Sequence, residues 1–149
     1  MSYELPETDQ DFIDKIQAEY SQAQLDGGEG LRHAQYRLAW SLVHSSNPAQ
    51  VEQGIEMSRM LCDIETDSSS KREAEYYLAV GFLKSKSYVD AWRQVKAVLA
   101  EWPEFRQAEQ LKGLIQERII HEGVVGIGIA GATLLGAGAI AVAAALMRR

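Results

Sequence analysis

The side chains able to do chemistry in this 149-residue chain are few. His33, His44 and His121 are its three histidines and Cys62 its single cysteine. Imidazole and thiolate hold zinc and move protons, so a catalytic or metal site would start from them. Their spacing argues against both. Zinc ligands come in pairs a few residues apart, and here only His33 and His44 could share a surface. They read as polar groups on a rim. Cys62 falls in the apolar register of a helix and reads as a small core residue. There is no phosphate-cradling Gly-rich loop ending in Lys-Ser or Lys-Thr, no dinucleotide fingerprint after a strand and no nucleophile elbow. No catalytic residue, metal or cofactor is expected, and the chain reads as a non-enzyme. The residues spaced for chemistry of another kind are aromatic and aliphatic: Tyr36, Trp40 and Val43, then Tyr76, Val80 and Leu83. Their chemistry is recognition, by burial of apolar surface around aromatic anchors.

Helices must position them. Phe12, Ile13, Ile16, Tyr20 and Ala23 recur at helical spacing, predicting a first helix over about 8–25, with Thr8 and Asp11 as its capping box. DGGEG at 26–30 breaks it. A second helix from Leu31 is apolar on more than one stripe and ends at SSNP. Asn47 and Pro48 then suit the N-cap and first turn of a third helix, through Val51, Ile55, Ser58 and Leu61. Gly54 inside it costs about 1 kcal/mol against Ala, which predicts a close packing contact there. After the polar link TDSSSKRE, Ser70 and Glu73 form a capping box for helix four. SKS separates it from helix five, Trp102-Pro103 ends that one, and a sixth runs from about Phe105. No segment alternates like a strand.

Helices two to five form two pairs. Counting Arg72 as position 1, Leu78, Ala79, Phe82, Tyr88, Ala91, Val95, Val98 and Pro103 all fit the tetratricopeptide pattern; Glu75 departs from it. The first pair is degenerate, with Leu38, Ala39 and Leu42 in place. Small residues at positions 8 and 20 let the paired helices approach closely, while helices one and six cap the stack. The first helix of each pair lines the hollow. Its lining positions carry His33, Tyr36, Trp40, Val43 and His44, then Glu73, Tyr76, Val80, Leu83 and Lys84. The apolar and aromatic majority of these suits a peptide or helix partner. The alternative is that helix one, the 1–7 arm or a second copy covers them. Tyr76 and Val80, Tyr36 and Trp40 stand where chaperone-binding relatives carry Lys and Asn, so no carboxylate clamp exists.

Residues 123–147 contain no charge, and Arg148 and Arg149 follow. Val124–Met147 is long enough to cross a hydrocarbon core about 30 Å thick as a helix. It has no polar stripe, so it reads as a single transmembrane tail anchor rather than an interfacial helix. The expected organisation is an arm and first helix (1–30), a tetratricopeptide-like domain with its capping helix (31–122) and the anchor (123–149). The head carries all 21 acidic residues against 13 basic ones, a net charge of −8. Such a head is not drawn by charge alone to nucleic acid or to an anionic membrane surface. One cysteine allows no intramolecular disulfide and suits the cytosol. MSYELPETDQ is no presequence, Ser2 stands where myristoylation needs Gly, and no prenylation box closes the chain, so the tail is the expected address. Gly128, Ala132 and Gly136 form a small-residue stripe that could support a homo-oligomer.

The chain resembles the mitochondrial fission 1 protein family. The resemblance runs from about Gln35 to the C-terminus through RLAWSLVHS (37–45), QGIEMSRML (53–61), YYLAVGFLKSKSYVDA (76–91), EWPEFRQAEQLKGLIQERI (101–119) and GVVGIGIAGA (123–132). The glycine-rich tail looks most like the plant and algal branch. The resemblance implies an all-α six-helix bundle facing the cytosol from the mitochondrial outer membrane, and often from peroxisomes. It implies recruitment of a dynamin-related GTPase, directly or through an adaptor. It carries the groove role onto Tyr36, Trp40, Val43, Tyr76, Val80 and Leu83, and the anchoring role onto Val124–Met147 with Arg148 and Arg149. The competing expectation is a tether or quality-control adaptor at the same membrane, without a role in division.

Overall fold

The computed structural model describes residues 3–122. The architecture is all-α: α1 (Gln10–Asp26), α2 (Glu29–Val43), α3 (Pro48–Ile64), α4 (Ser68–Lys84), α5 (Tyr88–Glu101) and α6 (Arg106–His121). Each helix packs on the next, and short links make α2–α3 and α4–α5 antiparallel hairpins. The first helices of the two hairpins, α2 and α4, also touch. This is a six-helix tetratricopeptide-like fold with α1 against one end of the stack and α6 against the other.

The tetratricopeptide positions do the packing expected of them. Ala79, Ala91, Val95 and Val98 are fully buried, in one cluster with Leu111, Ile115 and Ile119 of α6. At the other end Ile13 and Ile16 of α1 pack on Leu38 and Leu42 of α2. Gly54 marks a close approach: a Cβ there would lie 2.8 Å from both Cγ1 and the backbone nitrogen of Val43. Gly27 and Gly28 have φ of 67° and 76°, a region that disfavours other residues, and so turn the chain between α1 and α2.

Two helix starts differ from the sequence expectation. Asp9, not Thr8, caps α1, accepting from the Phe12 N–H at 2.8 Å. Thr8 is instead drawn into a tertiary contact described below. Asp67, not Ser70, caps α4, accepting from the Ser70 N–H at 2.9 Å, so the helix begins at Ser68. Asn47 caps α3 with Pro48 in its first turn, as read from the sequence. Among the described residues no helix is long and apolar enough to cross a membrane. The expected span Val124–Met147, its flank Arg148–Arg149 and the stripe Gly128, Ala132, Gly136 lie outside the described residues.

Candidate functional site

The hollow of the stack is bounded by α2 and α4, with α1 along one edge. Its lining splits into two halves, one open and one covered.

In the open half, Phe12 and Ile16 of α1 meet His33, Tyr36, Arg37 and Trp40 of α2, and Glu73 and Tyr77 of α4. Together they line a depression of about 340 Å³. The rings meet edge to face: Phe12 and Trp40 at 6.2 Å between centroids and 78°, Tyr36 and Tyr77 at 6.3 Å and 67°. That is the favoured arrangement for aromatic quadrupoles, and it fixes the walls of the depression. Phe12 is 38% exposed, a large apolar side chain held against water at the rim. A neighbouring hollow of about 310 Å³ extends the groove past Glu29, Arg32 and Ser70.

Hydrogen bonds pin these aromatics. The Tyr36 hydroxyl donates to Glu65 Oε2 at 3.0 Å and lies 2.9 Å from the Ser70 carbonyl; Arg32 reaches the same carboxylate at 3.1 Å. Burial, then the Glu65 carboxylate, push the Tyr36 phenol well above its ordinary value. Desolvation alone would raise Glu65. The Asp67 N–H, Tyr36 and Arg32 outweigh it and hold the carboxyl below the usual range. Tyr77 is pushed up to about 12 by burial and then by Glu73. These phenols stay protonated at neutral pH and serve as donors and apolar walls, not as bases.

The N-terminal arm covers the other half. The Thr8 N–H donates to the His44 carbonyl at 3.1 Å and the Thr8 hydroxyl to the Ser41 carbonyl at 2.7 Å. Tyr3 and Leu5 pack on the cluster that holds Tyr76, Val80 and Leu83, and the Tyr3 and Tyr76 hydroxyls are 3.5 Å apart. Glu7 lies 3.9 Å from Lys84 Nζ. Tyr76 and Leu83 are therefore buried beneath an extended segment of the same chain.

The ten groove positions thus divide. His33, Tyr36, Trp40 and Glu73 gather in the open half. Leu83 and Lys84 line a separate cavity beside the arm. Tyr76 lies under the arm. Val43 and Val80 are fully buried and offer no surface. Val43 points between helices, toward the hydrogens of Gly54 and Gly81, because those two glycines leave the space its methyls fill. His44 is also enclosed, with its Nδ1 2.7 Å from the Trp40 carbonyl and its ring 4.5 Å from the Trp40 ring. Burial is the main cause that lowers its pKa, so it rests neutral. His33 and His44 sit three turns apart on α2, about 16 Å of helical rise, and do not converge.

Phe12, Arg37 and Tyr77 join the open half without having been singled out. Phe12 stood in the apolar pattern of α1, but its place at the groove needed the crossing of α1 over α2. Tyr77 adjoins Tyr76 in sequence, and a one-residue shift on a helix moves a side chain by about 100°. Cys62 is half-buried and burial pushes its thiol up to about 12, far from reactive.

Comparison with known proteins follows the two hairpins. The family model described as the Fis1 N-terminal tetratricopeptide repeat matches residues 33–64, and the Fis1 C-terminal tetratricopeptide repeat matches residues 72–124. Mitochondrial fission 1 protein B of Arabidopsis thaliana is 36% identical over 146 residues, 97% of this chain and 84% of that protein. The mitochondrial fission 1 protein of Mus musculus is 30% identical over 120 residues, 80% of this chain and 78% of that protein. A crystal structure of yeast Fis1 with a fragment of Mdv1, containing an N-terminal extension and coiled coil domains, superposes with a TM-score of 0.66. It is 19% identical and covers 78% of this chain and 89% of that one. The crystal structure of Fis1 from Saccharomyces cerevisiae superposes with a TM-score of 0.62 at 21% identity, covering 82% and 98%.

Proposed function

The chain belongs to the mitochondrial fission 1 family, and from that premise we propose that it is a tail-anchored adaptor that gathers organelle-division machinery at its helical hollow. The head stands in the cytosol at the mitochondrial outer membrane, and at peroxisomes as well. Val124–Met147 is the anchor, and Arg148 and Arg149 are the flank that addresses it. The cargo is a dynamin-related GTPase, taken directly or through an intermediate adaptor.

The observation that carries this reading is the aromatic depression between α1, α2 and α4. It is mostly apolar, it is walled by rings that are already held in place, and Arg37 and Glu73 are the charged residues of its lining. A helix or peptide entering it meets a surface that needs little ordering, which lowers the entropy cost of binding. The structure of yeast Fis1 in complex with an Mdv1 fragment supports an adaptor as the immediate partner. Tyr36, Trp40, His33 and Glu73 form the primary contact. Tyr76, Leu83 and Lys84 join it when the arm is displaced. Confinement to a membrane raises the partner's effective concentration, so a weak contact suffices.

Trp40→Ala tests the assignment. The variant remains on the membrane but loses recruitment of the GTPase, by roughly tenfold or more for an aromatic anchor. Recruitment equal to wild type would reject the groove. Normal organelle size and number in cells lacking the protein would favour a tether or quality-control role instead.

A further inference from the structure

The arm closes on a single buried hydroxyl. Thr8 is 8% exposed. Its hydroxyl donates to the Ser41 carbonyl at 2.7 Å and its N–H to the His44 carbonyl at 3.1 Å. Both partners are acceptors at the C-terminal end of α2, where carbonyls and the helix dipole concentrate negative potential. The docked arm therefore needs the proton on Thr8 Oγ.

The chain around this hydroxyl is acidic. Glu7 precedes Thr8, and Asp9 and Asp11 stand one and three positions after it. No other serine or threonine of the chain has acids at all three of these places. Glu7, Asp9 and Asp11 are exposed although Thr8 is buried between them. Carboxylates set this way around a hydroxyl complement the basic substrate groove of a kinase that prefers acidic sequences.

The geometry points to Thr8 as a phosphorylation site for an acidophilic serine/threonine kinase, with the phosphate releasing the N-terminal arm from the covered half of the groove. The kinase meets Thr8 while the arm is lifted, because terminal segments held by few contacts open at the lowest cost. The γ-phosphoryl of ATP passes to Thr8 Oγ. A new O–P bond replaces the one to the β-phosphate, ADP leaves, and the hydroxyl proton goes to the catalytic base of the kinase. The product carries a charge of about −2 and has no proton to donate to Ser41. Re-docking would bring it to a helix C-terminus, where phosphate is disfavoured. Lys84, the cation paired with the arm, already faces Glu7 at 3.9 Å. Phosphorylation thus traps the lifted arm. Exposure of Tyr76 and Leu83 to a partner is the consequence that rests on the proposed recruitment; the site and the release do not.

The test incubates the full-length chain with ATP and an acidophilic kinase of the casein kinase type. Mass spectrometry then places phosphate on Thr8. Asp11→Asn slows its incorporation by roughly tenfold, whereas Leu5→Ser, which loosens the arm at another contact, speeds it. In the phosphorylated chain, amide hydrogen exchange over residues 3–9 rises by roughly tenfold or more while α3–α5 keep their protection. Phosphatase treatment restores the slow exchange. Phosphate found only on other residues, in wild type and Leu5→Ser alike, would overturn the site. Phosphate on Thr8 with unchanged exchange over residues 3–9 would overturn the release. Both readouts are taken on the chain alone. Arm release without any gain in recruitment of the GTPase would leave this inference standing and count against the partner role of Tyr76 and Leu83.

Discussion

The two glycines at the crossing of α2, α3 and α4 show how single residues set this fold. Gly54 lets α3 approach α2 until a Cβ would overlap Val43, and Gly81 leaves room for Ile55 from the opposite side, 2.5 Å from where its Cβ would lie. The contact at Gly54 involves backbone as well as side chain, so rotamer adjustment alone cannot relieve it. Gly54→Ala therefore destabilises the head by about 1–3 kcal/mol despite its better helix propensity. Urea unfolding measured by circular dichroism checks this, and an equal or raised midpoint would refute it. The tight contact was legible in the sequence because a mid-helix glycine needs a packing reason. Its consequence for Val43 was not. Helix α2 is apolar on adjacent stripes, and periodicity cannot say which stripe faces a gap that glycines on two other helices create.

At the scale of elements, the helices follow from local pattern and the arm does not. Fixed tetratricopeptide spacing encodes contacts within a hairpin, so Leu78, Ala91 and Val95 declared their burial from sequence. Capping is locally degenerate. Thr8 and Asp9 are both competent caps, as are Asp67 and Ser70, and the choice fell to interactions outside the helix. Thr8 is used across the bundle, where its hydroxyl meets the Ser41 carbonyl of α2 and its N–H the carbonyl of His44 just past the end of that helix. The arm is short and irregular, and its docking depends on carbonyls at the end of α2 that sequence pattern does not mark. Thr8→Val keeps the shape and the N–H contact but removes the donor to Ser41. It costs roughly 1–3 kcal/mol at that buried contact and raises cleavage by protease within residues 3–9, while α2–α6 keep their exchange protection. Unaltered cleavage would show that the arm is held by Leu5 and Tyr3 rather than by Thr8.

At the scale of the whole molecule, the described residues form an acidic helical head with an open aromatic hollow and a half-groove occupied by its own N-terminal segment. The groove was legible as a set of positions, but its division was not, because four of ten positions gather in the open half while Val43, Val80 and His44 turn into the core. The proposed recognition surface thus centres on Tyr36, Trp40, His33 and Glu73, with Phe12 and Tyr77 beside them in the same depression, side chains contributed by three helices. The measurement that tests this most directly is site-specific photo-crosslinking in cells, with the probe replacing Arg37 at the rim of the aromatic depression in the full-length chain. The account predicts a crosslink to the dynamin-related GTPase or its adaptor, lost when Trp40→Ala is added. Crosslinks that are unchanged by Trp40→Ala, or that join the head only to itself, would contradict it.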